Sequence, residues 1–310
     1  LTLATQHGGQ RPWEEVWFLE LHLPDGRGVW LRHTLSFGIH HQSGVWATWF
    51  ERDGRARGWH RAAPPESAEH GPAVLFDRED ARLTPQRATG ACGALCWDLE
   101  LIAGAAQHRH VPAILTRLGL GRTYEPAILD LRVRGHVVLD GDRVDVAGAR
   151  GVLGHIFGGR NRVATWAWAH APGFDGHPEV VFEALSARLG RADRPLPPLT
   201  TAVLTTRERT WRFSRLRDLV RTRSRFGGDV WHLRAIARDA QLRATMVLPA
   251  VTALAAYTDA DGRPIWCRNS TLSRITVHLD HGRGTETFHT RHASAEIAAR
   301  RDPGGRVTLP

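Results

Sequence analysis

The chain has 310 residues, 42% of them hydrophobic, and a formal net charge of +9. That length suits about two domains of roughly 100–200 residues each, and the apolar content excludes wholesale disorder. No run of about 18 consecutive apolar residues is present, which excludes a membrane-spanning helix. Cys92, Cys96 and Cys267 cannot build a disulfide framework and lack zinc-site spacing. The opening Leu1–Gln10 lacks the basic-then-apolar pattern of a secretory signal. A reducing cytoplasm is the expected setting.

The positive charge is entirely arginine, because the chain contains no lysine. Arginine is spread along the sequence, and only Arg207 to Arg225 forms a dense run, interleaved with Trp211, Phe213, Leu216, Leu219 and Val220. Dispersed charge of this kind reads as a solvated surface, so nucleic acid is not an expected partner.

The compositional oddity is 12 Trp against 2 Tyr and 1 Met, since Trp ordinarily makes up about one residue in a hundred. Many of these Trp sit in short alternating segments, which predict strands. Val16 to Leu23 runs to the turn Pro24–Gly28 and returns as Val29 to Phe37. Val45 to Glu51 meets Arg52-Asp53-Gly54-Arg55. Asp140-Gly141 closes a hairpin within Val137 to Val146, and Asp259 to Gly262 does the same between Ala255 and Ile265. Asp-Gly suits such turns because both residues tolerate positive φ. Ile275 to Leu279 ends at Asp280-His281-Gly282. Val111 to Leu120 predicts one short helix, and Arg212 to Arg223 fits either period. The tail from His292 is polar and is expected to fray. Strands at this spacing predict an antiparallel all-β protein. Pro195, Pro197 and Pro198 mark Gly190 to Leu199 as a linker, giving expected domains at 1–190 and 200–310.

The most distinctive stretch is the glycine-rich run Gly148 to Gly159, read as a turn holding His155-Ile156-Phe157-Gly158. It is followed by Trp166-Ala167-Trp168-Ala169-His170 and by Val181-Phe182-Glu183-Ala184-Leu185. With Cys96-Trp97-Asp98-Leu99, Tyr257 and Cys267-Arg268-Asn269-Ser270, these residues resemble the hydroxyneurosporene synthase-like superfamily. That group takes in carotenoid 1,2-hydratase, tocopherol-cyclase-like and lipocalin-type Diels–Alderase proteins. The likeness runs loosely from Trp13 to about Leu279. It implies two lipocalin-like β-barrel domains packed together, with an apolar pocket in or between them. It also implies chemistry on isoprenoid or polyketide substrates without a redox cofactor. Carotenoid hydratase relatives carry an acid just before the second His of Gly-Tyr-His-Asp-His-Asn. This chain has Gly154 there, which points away from carotenoid hydration.

Residues two apart on a strand share a face, so Trp166, Trp168 and His170 lie on one side. They either line a pocket, where indole faces stabilise a developing carbocation, or fill a barrel core with His170 capping the strand. His155 either moves a proton or ties down its turn. Glu183 in its apolar strand is a candidate general acid, or it faces water with Glu179; Asp98 has a similar standing. Trp30 and Arg32 share a face. Arg32 meets either a ligand carboxylate or enolate oxygen or a salt-bridge partner at the barrel rim. Tyr257 and Asn269 either fix a ligand's polar end or tie down the hairpin between them, and Trp46 completes the candidate ligand-binding set. His40 and His41 would point to opposite faces of a strand, and His108 with His110 lacks a third ligand, so no metal site is expected. A phosphate loop of the Walker type and a Gly-x-Ser-x-Gly elbow are both absent. The resulting expectation is a cofactor-independent enzyme that folds a hydrophobic polyene for cyclisation, [4+2] cycloaddition, hydration or isomerisation. The alternative is a non-catalytic carrier for a hydrophobic small molecule.

Overall fold

The computed structural model describes residues 3–71, 73–104, 108–111, 122–191 and 193–302. The chain is all-β, built as two lipocalin-like antiparallel barrels packed together. In the first sheet the long strands stand side by side in the order Ala56–Ala63, Gln42–Phe50, Gly28–Phe37, Trp13–His22, Ala149–Gly158, Thr123–Leu139 and Leu95–Ala103. In the second, Leu199–Thr205, Val181–Arg191, Val163–Ala171, Gly284–Ala299, Pro264–His281, Ala240–Val247 and Val230–Ile236 follow one another. The Asp-Gly hairpins form as their chemistry dictates: Asp140 and Gly141 both take positive φ, at 52° and 91°.

Alternation along each strand sends one row of side chains into a barrel. Trp17, Leu19, Leu21, Leu31, Leu35 and Trp49 help fill the first interior, and Phe182, Phe213, Trp231, Met246 and Phe288 the second. Each large apolar side chain withdrawn from water stabilises the fold by roughly 1.5–3 kcal/mol. The opposite rows of the central strands are buried too, because the barrels pack against each other. Phe18, Trp30, Trp46, Phe50, Tyr124, Val152 and Trp168 form this seam with Ala253, Ala255 and Tyr257. Trp13–His22 is therefore buried almost end to end, whereas Val230–Ile236 alternates between buried and exposed. The loop after Gly28–Phe37 is tied to the second sheet by Ile39 N–H donating to the Ala260 carbonyl at 2.9 Å.

Four expectations change. The run Gly148–Gly159 is mainly the strand Ala149–Gly158, with Gly148 preceding it and Gly159 following it. Its glycines serve close approach: a Cβ on Gly154 would stand 2.3 Å from the Phe18 ring on the neighbouring strand. The chain changes sheet within 159–162, well before the proline-rich stretch, which instead runs between neighbouring strands of the second sheet. Arg212 to Arg223 contains a strand end, the short helix Leu216–Leu219 and the start of a new strand. Residues His292 to Ala299 do not fray; they finish the strand Gly284–Ala299, where Ala293, Ser294, Ala295, Glu296 and Ala298 pack in the interior or at the seam, and the tail beyond Asp302 lies outside the described residues. The helix expected over Val111 to Leu120 lies, beyond Val111, outside the described residues. No helix among the described residues is long and apolar enough to cross a membrane.

Candidate active site

A cavity of about 210 Å³ opens in the seam between the sheets. The first sheet supplies Glu14, Val16, Phe18, Trp30, Arg32, Tyr124 and Ile156 to its wall. The second supplies Trp166, Trp168, Leu185, Thr201, Tyr257, Ile265 and Glu296 among others, and His110 and Arg122 also line it. The walls are set by strand register. Even-numbered residues of Trp13–His22 point into the seam, as do Trp166 and Trp168 on Val163–Ala171, while the odd ones Trp17, Leu19, Leu21, Ala167, Ala169 and Ala171 enter the barrels. Phe18 meets Trp168 edge-on, with ring centroids 5.6 Å apart.

Behind the aromatic wall lies a knot centred on Glu183, which is fully buried. Tyr124 O–H donates to Glu183 Oε1 at 2.5 Å, and Trp168 Nε1–H donates to the same oxygen at 2.8 Å. His110 Nε2 stands 3.0 Å from Glu183 Oε2, and its Nδ1 lies 2.6 Å from the Thr201 hydroxyl. Burial pushes the Glu183 carboxyl up. The charge and hydrogen bond of His110, then His170 and Tyr124, more than offset this, and the net direction is down. Burial, then the neighbouring Glu183 charge, holds the Tyr124 phenol well above its ordinary value. The knot is therefore a carboxylate holding a phenol O–H, an indole N–H and an imidazole, and Tyr124, Trp168 and His110 reach the cavity.

A second polar group joins Arg122 to Glu14 at 2.7 Å and Arg32 to the same carboxylate at 3.4 Å. A third holds Glu296 between Trp166 Nε1–H at 2.6 Å and the Cys267 thiol at 3.3 Å. Burial holds the Glu296 carboxyl and the Tyr257 phenol above their usual ranges.

Of the residues singled out from sequence, Trp30, Arg32, Trp166, Trp168 and Tyr257 line the cavity, and Glu183 bonds to lining residues from behind. His155, His170, Trp46 and Asn269 do not line it. His155 points into the first barrel, because it follows Leu153 on the interior face of its strand. There it pairs with Glu15 at 2.9 Å and stacks on Trp17 at 5.0 Å. His170 is buried against the Leu129 carbonyl at 2.9 Å. Trp46 stacks on His60 at 4.0 Å, and Asn269 is buried elsewhere in the seam. Asp98 pairs with Arg87 at the surface. Gly154, at the position of the relatives' acid, faces the seam, but the Phe18 ring takes its space. Glu14, Arg122, Tyr124 and Thr201 were not foreseen, and His110 was weighed only as a metal ligand. One signal was available: the chain has only 2 Tyr, and both line the cavity. Among the described residues, no group of three or more His, Cys, Asp or Glu is placed to hold a metal ion.

No family model matches the sequence. An uncharacterised protein of Mycobacterium tuberculosis, Rv0493c in strain H37Rv, is 30% identical over 306 residues, covering 96% of this chain and 90% of its own length. The chain belongs to the family of that mycobacterial protein. Its counterpart in strain CDC 1551, MT0513, matches equally. Among solved structures, CghA in complex with Sch210972 superposes with a TM-score of 0.63 at 9% identity, over 95% of this chain and 90% of its own. Kievitone hydratase from Nectria haematococca gives 0.53 at 8% identity, over 92% and 88%. A Nitrosomonas europaea protein gives 0.56 at 12% identity, over 96% and 98%. The chain thus shares its two-barrel fold with these solved structures.

Proposed function

We propose that this protein is a cofactor-independent enzyme that folds a hydrophobic polyene, of isoprenoid or polyketide type, in the seam cavity and promotes a non-redox rearrangement of it. Proton-assisted cyclisation or hydration is the reading that the geometry supports best, with isomerisation a shorter version of the same chemistry. The observation that carries it is a buried carboxylate, Glu183, whose partners Tyr124 and His110 open onto an indole-walled cavity. A proton passed from this knot to an alkene carbon leaves positive charge on the chain. The faces of Trp30, Trp166 and Trp168 stabilise that charge. Attack by a second double bond closes a ring, and attack by water gives an alcohol. Loss of a proton back to the knot moves the double bond. Confinement in a reactive conformer lowers the barrier further. The occurrence of a hydratase among proteins of this fold supports the reading, and 3 unpaired cysteines fit a reducing cytoplasm.

Native mass spectrometry of the protein from its own host identifies a retained apolar ligand. Turnover of that compound is then compared between wild type and Glu183→Gln. Loss of about a hundredfold in rate is expected, the scale on which positioned acid–base groups act. Full activity in Glu183→Gln would leave shape alone, and with it [4+2] cycloaddition, as the mechanism. A wild-type rate equal to the uncatalysed one would make the protein a carrier.

A further inference from the structure

One of the two guanidinium groups in the cavity wall is loosely held. Glu14 is almost fully buried, with 3% of its side chain exposed, and the two guanidinium groups facing it are little more accessible: Arg122 at 10% and Arg32 at 12%. Arg122 and the Ala260 N–H hold one oxygen of Glu14, at 2.7 and 3.1 Å. Arg32 makes only a 3.4 Å contact to the other oxygen and gives its Nε–H to the Thr34 hydroxyl at 3.2 Å. Its guanidinium lies over Tyr257 at 4.2 Å and Trp46 at 5.1 Å. Those rings fix its plane and leave it at the cavity wall.

Two guanidinium groups face one directly bonded carboxylate, and an ion held so loosely among buried groups is costly. The other acid lining the cavity, Glu296, is taken up by Trp166 and Cys267, and the charge of Arg32 also acts on it. Asp259 and Asp261, beyond Ala260, are engaged by Arg263 and Arg300.

We propose that Arg32, set against Glu14 and Arg122, is a subsite for an anionic oxygen, so that the substrate is an apolar polyene ending in a carboxylate or an equally acidic enol. A planar guanidinium fork suits such a group. The apolar tail then lies along the indole wall. This inference rests on the function proposed above, because it assumes that the cavity holds a polyene.

The test uses cis-parinaric acid, a fluorescent long-chain tetraene acid, beside its methyl ester, which keeps the tail and removes the charge. At neutral pH the wild-type protein is expected to bind the acid about tenfold more tightly than the ester, as one charge-assisted hydrogen bond provides. Arg32→Gln removes the loosely held cation while leaving Glu14 paired with Arg122, and is expected to bring the two ligands to near equality. Glu14→Gln adds to the positive balance and is expected to widen the gap. Equal binding of acid and ester by wild type overturns the subsite and leaves the polyene cavity standing. A preference for the acid that survives Arg32→Gln overturns the assignment to Arg32. Failure of both ligands to bind overturns the cavity reading together with the subsite.

Discussion

Two histidine–glutamate pairs lie fully buried in this molecule, with nearly the same geometry. His155 and Glu15 meet at 2.9 Å, and His110 and Glu183 at 3.0 Å. In both, burial raises the carboxyl and the imidazole beside it turns the net direction downward. Their surroundings differ. His155 is stacked on Trp17 inside the first barrel, and Glu15 is tied to the N-terminal segment by the Thr5 hydroxyl at 2.7 Å and the Gln6 N–H at 2.8 Å. Glu183 instead holds Tyr124 and Trp168, which line a cavity. The same ion pair is a structural pin in one place and a candidate proton relay in the other. What separates them is access, which neither distance nor burial reports.

The comparison breaks most sharply at Glu15. Glu15→Ala removes the carboxylate from a buried pair and is expected to cost about 3–5 kcal/mol of stability. Denaturant unfolding measures it, and turnover per folded molecule should stay unchanged. A third buried carboxylate, Glu20, sharpens the contrast because no cation among the described residues pairs with it. Burial, with Glu296 nearby, raises its pKa from 4.5 to about 8. The native state then holds a proton that the unfolded chain releases, so stability falls as pH rises through that window. Glu20→Gln should flatten the fall and gain roughly 3 kcal/mol near the top of it. Glu15 and Glu183 carry the opposite sign. Their contributions are present above 4.5 and are lost as pH falls through their lowered folded values. An acid titration of unfolding should lose its lower limb in the Glu15 variant. The smallest effect is expected at Trp168→Phe, which keeps a ring in the wall but deletes the N–H to Glu183. A stability loss of about 1 kcal/mol, with a measurable drop in turnover, would show that Trp168 orients the knot as well as lining the cavity.

Much of the first sheet was legible, because its hairpins announce themselves through Asp-Gly turns and two-residue alternation. So was the shared face of Trp166 and Trp168. Alternation says which residues share a side, yet both sides of the central strands are apolar, so it does not say which side meets the other barrel. That is why His155 and Trp166 looked equally eligible. The glycine run misled for a related reason: glycine usually marks a turn, but here Gly154 makes room for Phe18 within a strand. The His110–Glu183 pair joins residues 73 apart, and nothing local in either segment points to the other. The same holds for Glu14 and Arg122, which are 108 apart.

The four residues 159–162 carry the chain from one sheet to the other, and the cavity has one wall on each side of that crossing. Each barrel keeps its own packed interior, apart from the seam. Under the function proposed above, trading a single indole at the join would change which guest fits while leaving both interiors packed.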